Sequence, residues 1–308
     1  MFVNGEGRLR AGWRLLFQFL LNYTVAALVG SLLLAAGGAE QSTSSLNLPL
    51  YAGATLAAVA SVWVAGRSLD GRPFSGFGLR FNRAWWSDLG FGLLLGASLI
   101  SGIFLFGLAA GWVTVTGSFE GVEGRSFFPA ILVPVVLFVC VGFYEELVSR
   151  GYQLTNLAEG LDLPGIGPNG AILLAWVLSS SFFGLIHLSN PNATILSTLN
   201  IALAGLMLGF GYVLTGELAI PIGLHVTWNF FQGNVYGFPV SGLDPVGATV
   251  LTTEQAGPDL LTGGPFGPEG GLLAPSAMVL GLVLISLRIR RRTGKLSLHT
   301  PLVESPNR

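Results

Sequence analysis

The residues of this chain whose types and spacing could do chemistry are Glu145, Glu146 and Arg150, then His187, then His225 and Asn229. A carboxylate and an imidazole held in a dry cavity can activate water, because desolvation brings a carboxyl group toward the range in which it works as a general base. A second imidazole beside an amide NH₂ can supply donors to a developing oxyanion. Together such groups make a hydrolytic centre that needs no nucleophilic side chain. Residues four apart lie on one face of a helix. His225 and Asn229 therefore point the same way, as do Phe183 and His187. Glu146 and Arg150 share that spacing and can pair, which leaves Glu145 about 100° round the helix for a separate task.

The elements that must position these groups are apolar. Between Arg125 and Glu145 the chain carries no charge, and the run ends in Phe143-Tyr144-Glu145-Glu146-Leu147-Val148-Ser149-Arg150. An ionisable group inside a membrane helix costs about 2.5–3.5 kcal/mol, so three in one short segment call for a reason. A structural reason is available: polar residues in membrane helices often serve as interhelical glue, worth about 0.6 kcal/mol each. Gln18, Asn22 and Glu217 read that way, and the Glu145/Glu146/Arg150 cluster taken alone could be a buried ion pair. Two carboxylates, two histidines and an amide gathered between residues 145 and 229 favour a site instead.

Composition agrees with burial in lipid. The chain is 51% hydrophobic and 10% charged, against about 25% charged in a soluble domain. Uncharged runs give eight expected helices at about 15–36, 48–66, 89–112, 128–150, 170–188, 193–214, 218–237 and 272–289. The expected fold is an all-α, polytopic transmembrane bundle forming a single domain over 1–292, with a solvated tail over 293–308. Arg8, Arg10 and Arg14, the 67–87 loop with Arg67, Arg72, Arg80 and Arg83, and the tail with Arg288, Arg290, Arg291, Arg292 and Lys295 are basic. The opposite connections, 37–47, 113–127, 189–192 and 238–271, hold only Arg125. By the positive-inside rule both termini are cytoplasmic and the Gly/Pro-rich, irregular 238–271 loop lies outside. Trp85 and Trp86 are expected as interfacial anchors. In this topology Glu145 sits toward the cytoplasmic end of helix four, while His187 sits near the far end of helix five. The single Cys140 excludes an intrachain disulfide, and the run 15–36 is too long for a signal peptide.

Glu145-Glu146-x-x-x-Arg150, Phe183-x-x-x-His187 and His225-x-x-x-Asn229, in this order, resemble the three signatures of the CAAX-protease and bacteriocin-processing family, the Rce1-like or Abi intramembrane endopeptidases. The similarity spans about 128–237, and Gly151-Tyr152 fits the family's continuation. The resemblance implies that Glu145, assisted by His187, activates the attacking water, and that His225 and Asn229 stabilise the oxyanion. Glu146, Arg150 and Phe183 would support that geometry. A glutamate-type mechanism without cofactor is favoured, although Glu145, His187 and His225 could form a zinc site of the two-histidine, one-carboxylate type. The expected partners are the lipid bilayer and a peptide or lipidated protein substrate, with no nucleic acid. The oligomeric state is not legible. A prokaryotic cytoplasmic membrane is the expected location.

Rival readings fit less well. There is no His-Glu-x-x-His. Gly96-Ala97-Ser98 is followed by Leu99 where a rhomboid-type site has glycine, and paired intramembrane aspartates are absent. A proton-coupled transporter, or a non-catalytic scaffold for a peptide partner, would also use buried Glu, His and Arg. No internal repeat favours the transporter.

Overall fold

The computed structural model describes residues 2–3, 7–37, 48–121 and 126–305; the connection 38–47 and Arg125 lie outside them. Seven helical segments among the described residues are long and apolar enough to cross a membrane: Ala11–Leu32, Leu50–Asp70, Arg83–Ala109, Phe127–Leu161, Gly167–Ser189, Ile195–Thr215 and Leu273–Thr293. The chain is an all-α, multi-pass membrane protein. The expected seventh span, 218–237, is not among them: helix α8 (Ala219–Phe230) is shorter and runs into a π-helical stretch, Phe231–Val235. Its apolar character faces protein rather than lipid, since every residue from Ala219 to His225 is buried, and a helix buried all round is a core helix. It packs against α3 (Arg83–Ala109), α4 (Phe127–Glu146) and α7 (Ile195–Thr215).

Backbone contact sets that central position. A Cβ on Gly92 would come within 2.4 Å of the Ile220 carbonyl oxygen, and one on Gly96 within 2.4 Å of the Leu224 carbonyl oxygen. Small residues let membrane helices approach this closely, and the Thr227 hydroxyl of α8 donates to the Leu93 carbonyl of α3 at 2.7 Å across the crossing. This explains the Gly96-Ala97-Ser98 sequence as a packing stripe, and Ser98 itself is exposed on the outer side.

Helix four is longer than expected, for a local reason. After Glu146 the hydrogen-bond pattern widens into a π-helical stretch, Leu147–Leu154, and then resumes as α5 (Thr155–Leu161). Glu145 therefore sits mid-span rather than at an end. It is sixteen residues from Leu161, about 24 Å at 1.5 Å per residue. His187 closes α6 (Gly167–Ile186), twenty residues beyond Gly167, about 30 Å along it. A short turn joins the two helices at Leu161 and Gly167, so the depths expected to differ nearly coincide.

Outside the helices, β1 (Val113–Gly121) pairs antiparallel with β2 (Ala248–Gln255), from Val113 opposite Gln255 to Gly121 opposite Ala248, with a bulge between Val115 and Gly117. The 238–271 segment is thus part strand, part short helix (α9, Asp259–Thr262). Described segments near the two ends of the chain meet. Arg8 bonds both Ser305 and Glu159, and the Arg72 Nη2 donates to the Glu304 carbonyl at 2.8 Å. Arg14 donates to Asp70 at 2.7 Å and to Glu159 at 2.9 Å in the same cluster.

The tail beyond α10 (Leu273–Thr293) is docked rather than solvated, with Leu302 and Val303 buried. The His299 N–H donates to the Val213 carbonyl at 2.8 Å, and its ring covers Gly216, whose φ of 68° and crowded surroundings both exclude a side chain. Burial and the nearby Arg80 together hold the His299 imidazole below its ordinary range, against the weaker pull of Glu304. Burial lifts the Glu217 carboxyl, although its ion pair with Arg80 opposes this. The small contacts read from sequence are present: Gln18 donates to Ser61 and Ser61 to Asn22, joining α1 (Ala11–Gly37) to α2 (Leu48–Ala65). Of the two tryptophans, Trp86 is exposed, but Trp85 is buried with its indole N–H on the Gly78 carbonyl at 2.9 Å.

Candidate active site

The site forms where α4 meets α8. At the crossing stands Gly142, and a Cβ there would lie 2.7 Å from Val226 Cγ2 and 3.1 Å from the Val226 backbone nitrogen. That close approach lets side chains one turn further along α4 reach α8. Glu146, fully buried, accepts from Arg150 Nη1 at 2.9 Å and from His225 Nδ1 at 2.8 Å through the same oxygen, Oε1. Arg150, 1% exposed, also donates to the Gly205 carbonyl of α7 at 3.1 Å. Its guanidinium carbon lies 4.4 Å from the centre of the Phe183 ring, within cation–π range. The pairing of Glu146 with Arg150 expected from their spacing is present, and His225 is a third member.

Glu145 faces elsewhere, as its offset on the helix requires. Its side chain is 20% exposed, and its Oε2 lies 3.9 Å from His225 Nε2. The hydroxyl of Tyr144 donates to its Oε1 at 3.2 Å. His225 thus stands between the two glutamates, with Nδ1 on Glu146 and Nε2 toward Glu145. A carboxylate only accepts, so Nδ1 carries the proton in that contact.

His187 reaches the site from α6. Its Nδ1 lies 2.7 Å from the Phe183 carbonyl oxygen, which also only accepts, so Nε2 is left as the lone-pair nitrogen of the neutral ring. Phe183 is the spacer: its ring centre lies 4.7 Å from that of His187 and 6.2 Å from that of His225. Arg150, Phe183 and His187 therefore form one stack that fixes His187 relative to the glutamates. Among the described residues no hydrogen bond or ion pair joins His187 to Glu145 directly. Both line a cavity of about 410 Å³, and His225 and Asn229 line it too.

All seven residues singled out from sequence therefore gather here: Glu145, His187, His225 and Asn229 on the cavity wall with Phe183, and Glu146 and Arg150 behind it. Sequence reasoning missed Tyr51 and Tyr144, which line the cavity beside Glu145, and Asp244 and Glu269, which line it from the 238–271 segment. Tyr144 stands next to the first glutamate and could have been found. The two loop acids carry no local signature.

For a metal, the histidines have the right outer contacts, since each Nδ1 is held by an acceptor and each Nε2 is free, as metal ligands require. The donor set does not converge, however: among the described residues no three His, Cys, Asp or Glu side chains are grouped closely enough to hold an ion.

Fold and site define a polytopic membrane protein with a carboxylate–imidazole centre buried between its helices. Residues 126–231 match the family model described as Type II CAAX prenyl endopeptidase Rce1-like. The match starts one residue before α4 and ends one residue after α8, so it takes in every residue of the centre. Over this stretch, 106 of the 308 residues, the chain is similar to the Rce1-like CAAX prenyl endopeptidases. No curated protein and no solved structure matches the chain.

Proposed function

We propose that the chain is an intramembrane endopeptidase that hydrolyses a peptide bond of a membrane-associated or lipidated substrate with a water activated by Glu145 and His187. The observation that carries this reading is the shared cavity: Glu145 and the free Nε2 of His187 line one wall system with His225 and Asn229, without direct contact between the first two. A water hydrogen-bonded to both would bridge them. Glu145 takes the proton as the hydroxyl attacks the scissile carbonyl carbon, and returns it to the amine nitrogen as the C–N bond breaks. The Asn229 NH₂ is the donor to the oxyanion. His225, with Nδ1 committed to Glu146, can donate from Nε2 only as the imidazolium, a cation that Glu146 and Glu145 flank on both sides. Arg150 neutralises Glu146 and, through Phe183, holds His187 in place. We further propose prenylated substrates, supported by the resemblance to the Rce1-like family, and a metal-free mechanism, favoured by the ungrouped ligands among the described residues. We place both termini, near which described segments meet, in the cytoplasm of a prokaryotic cell, following the basic residues clustered there.

The test is cleavage of a prenylated or hydrophobic peptide by purified protein. Wild type should cleave, and Glu145→Ala, His187→Ala and Asn229→Ala should lower kcat/KM by orders of magnitude without unfolding. Full activity in all three variants, or no cleavage of any peptide by wild type alongside solute transport in proteoliposomes, would overturn the reading.

A further inference from the structure

The segment after α8 brings two carboxylates to the cavity that the hydrolytic centre does not use. Glu269 is 5% exposed. Its Oε2 accepts from the Ser241 backbone N–H at 2.8 Å and from the Ser241 hydroxyl at 2.9 Å. Its backbone carbonyl accepts from Asn200 Nδ2 of α7 at 2.9 Å. Both side-chain bonds fall on one oxygen, and Oε1 is left without a partner on the cavity wall. Asp244, three residues beyond Ser241, is exposed at the mouth of the same cavity. Among the described residues neither acid has an ion pair, and no Lys or Arg lines the cavity. Arg150, the nearest guanidinium to the centre, lies behind the wall and is already committed to Glu146.

A buried carboxylate without a cation is costly to keep, and removing a partner from such a group is typically strongly destabilising. Here the side chain lines the cavity, so a cation bound there could supply the charge partner. The cavity lining also has the other character: Ile201, Met207, Leu208, Leu224 and Trp228 give an apolar surface. One cavity thus offers apolar and acidic surface together with Glu145 and His187.

We propose that Glu269, with Asp244 at the mouth, is a subsite for a basic side chain of the peptide substrate, while the apolar wall takes an aliphatic or aromatic side chain of the same peptide. The proposal rests on the endopeptidase reading for the identity of its ligand. Glu269 has a competing structural role, since its bonds to Ser241 pin the loop. A glutamine at this position keeps an oxygen to accept from Ser241 and loses only the charge, so it separates the two.

The experiment measures binding of fluorescent, N-acetylated apolar peptides in which one lysine is walked along the chain, each beside its glutamine counterpart. Full-length Glu145→Gln protein in uncharged detergent reads binding without turnover. In one register lysine should bind about tenfold tighter than glutamine, equivalent to about 1.4 kcal/mol, and the preference should shrink as salt is raised. Adding Glu269→Gln should reduce that preference to about twofold or less. No register preferring lysine, or a Glu269→Gln variant that weakens lysine and glutamine peptides alike, overturns the subsite and leaves Glu269 as a loop pin. Cleavage of the same series by wild type is scored separately. A lysine preference in binding with no cleavage of any peptide supports the subsite and sinks the peptidase reading alone.

Discussion

Replacing Arg150 by methionine asks how far the centre depends on a balanced charge. The guanidinium and the Glu146 carboxylate are 1% and 0% exposed and 2.9 Å apart. Breaking a buried pair by removing one partner costs about 3–5 kcal/mol, because the charge left behind has no water. The contact with Phe183 at 4.4 Å adds roughly 0.5–2 kcal/mol to the loss. One donor remains on Glu146, His225 Nδ1 at 2.8 Å, so the expected destabilisation is about 3–4 kcal/mol rather than the sum. Glu146→Gln combined with Arg150→Met leaves no unpaired charge while the glutamine oxygen can still accept from His225. The double variant should therefore recover about 2 kcal/mol relative to Arg150→Met alone. Unfolding in detergent, followed by the fluorescence of the seven tryptophans, reads both. A double variant no more stable than Arg150→Met would refute the argument that an orphaned Glu146 charge causes the loss.

Other expectations follow from single contacts. Gly96→Ala places a Cβ 2.4 Å from the Leu224 carbonyl oxygen and 2.9 Å from the Trp228 nitrogen; thermal unfolding should show a loss of about 1–3 kcal/mol from overpacking, and an unchanged midpoint would contradict the close crossing. Gly142→Ala presses on Val226 and should lower kcat more than KM as Glu146 and His225 are spread; equal activity to wild type would show that α4 and α8 can give way. The His299 imidazole, held below its ordinary value by burial and Arg80, favours the neutral ring in the docked tail. Its contribution is complete above about pH 6.5 and is lost as pH falls below that value, so amide exchange in 296–305, corrected for intrinsic rate, should quicken in acid. In His299→Gln this acid response should be absent. Proteolysis should survive exhaustive chelation, and activity that disappears with the chelator and returns with zinc would overturn the metal-free proposal.

The residues of the candidate site were legible because each declares itself locally. Glu145 and Glu146 interrupt an uncharged run, and the four-residue spacings of Glu146/Arg150, Phe183/His187 and His225/Asn229 fix shared helix faces. What spacing cannot give is a relation between helices. That His225 would lie between the two glutamates depends on the approach at Gly142, and that Glu145 and His187 would share a depth depends on the π-helical stretch after Glu146, which has no composition of its own. The strand pair has a local signal in Val-Thr-Val-Thr at 113–116 and in the mostly β-branched 249–253, but both lie in Gly-rich connections and read as loops. Glu269 and Asp244 had none, because their place at the cavity comes from loop packing on α7. The tail read as solvated because its charge pattern hides two apolar residues, Leu302 and Val303.

The crossing of α3 and α8 through bare backbone at Gly92 and Gly96 has a bearing on the lipid that surrounds the protein. The axis on which His225 and Asn229 ride is located by backbone atoms and the Thr227 hydroxyl, not by the rotamers of an outer layer of leucines. The outward-facing residues, such as Leu94, Leu105 and Phe128, can then change with bilayer thickness or fluidity, where a few ångströms of mismatch carry only modest energies, without moving the reacting groups. A protein built this way can drift in its coat from one membrane to another and keep the same interior.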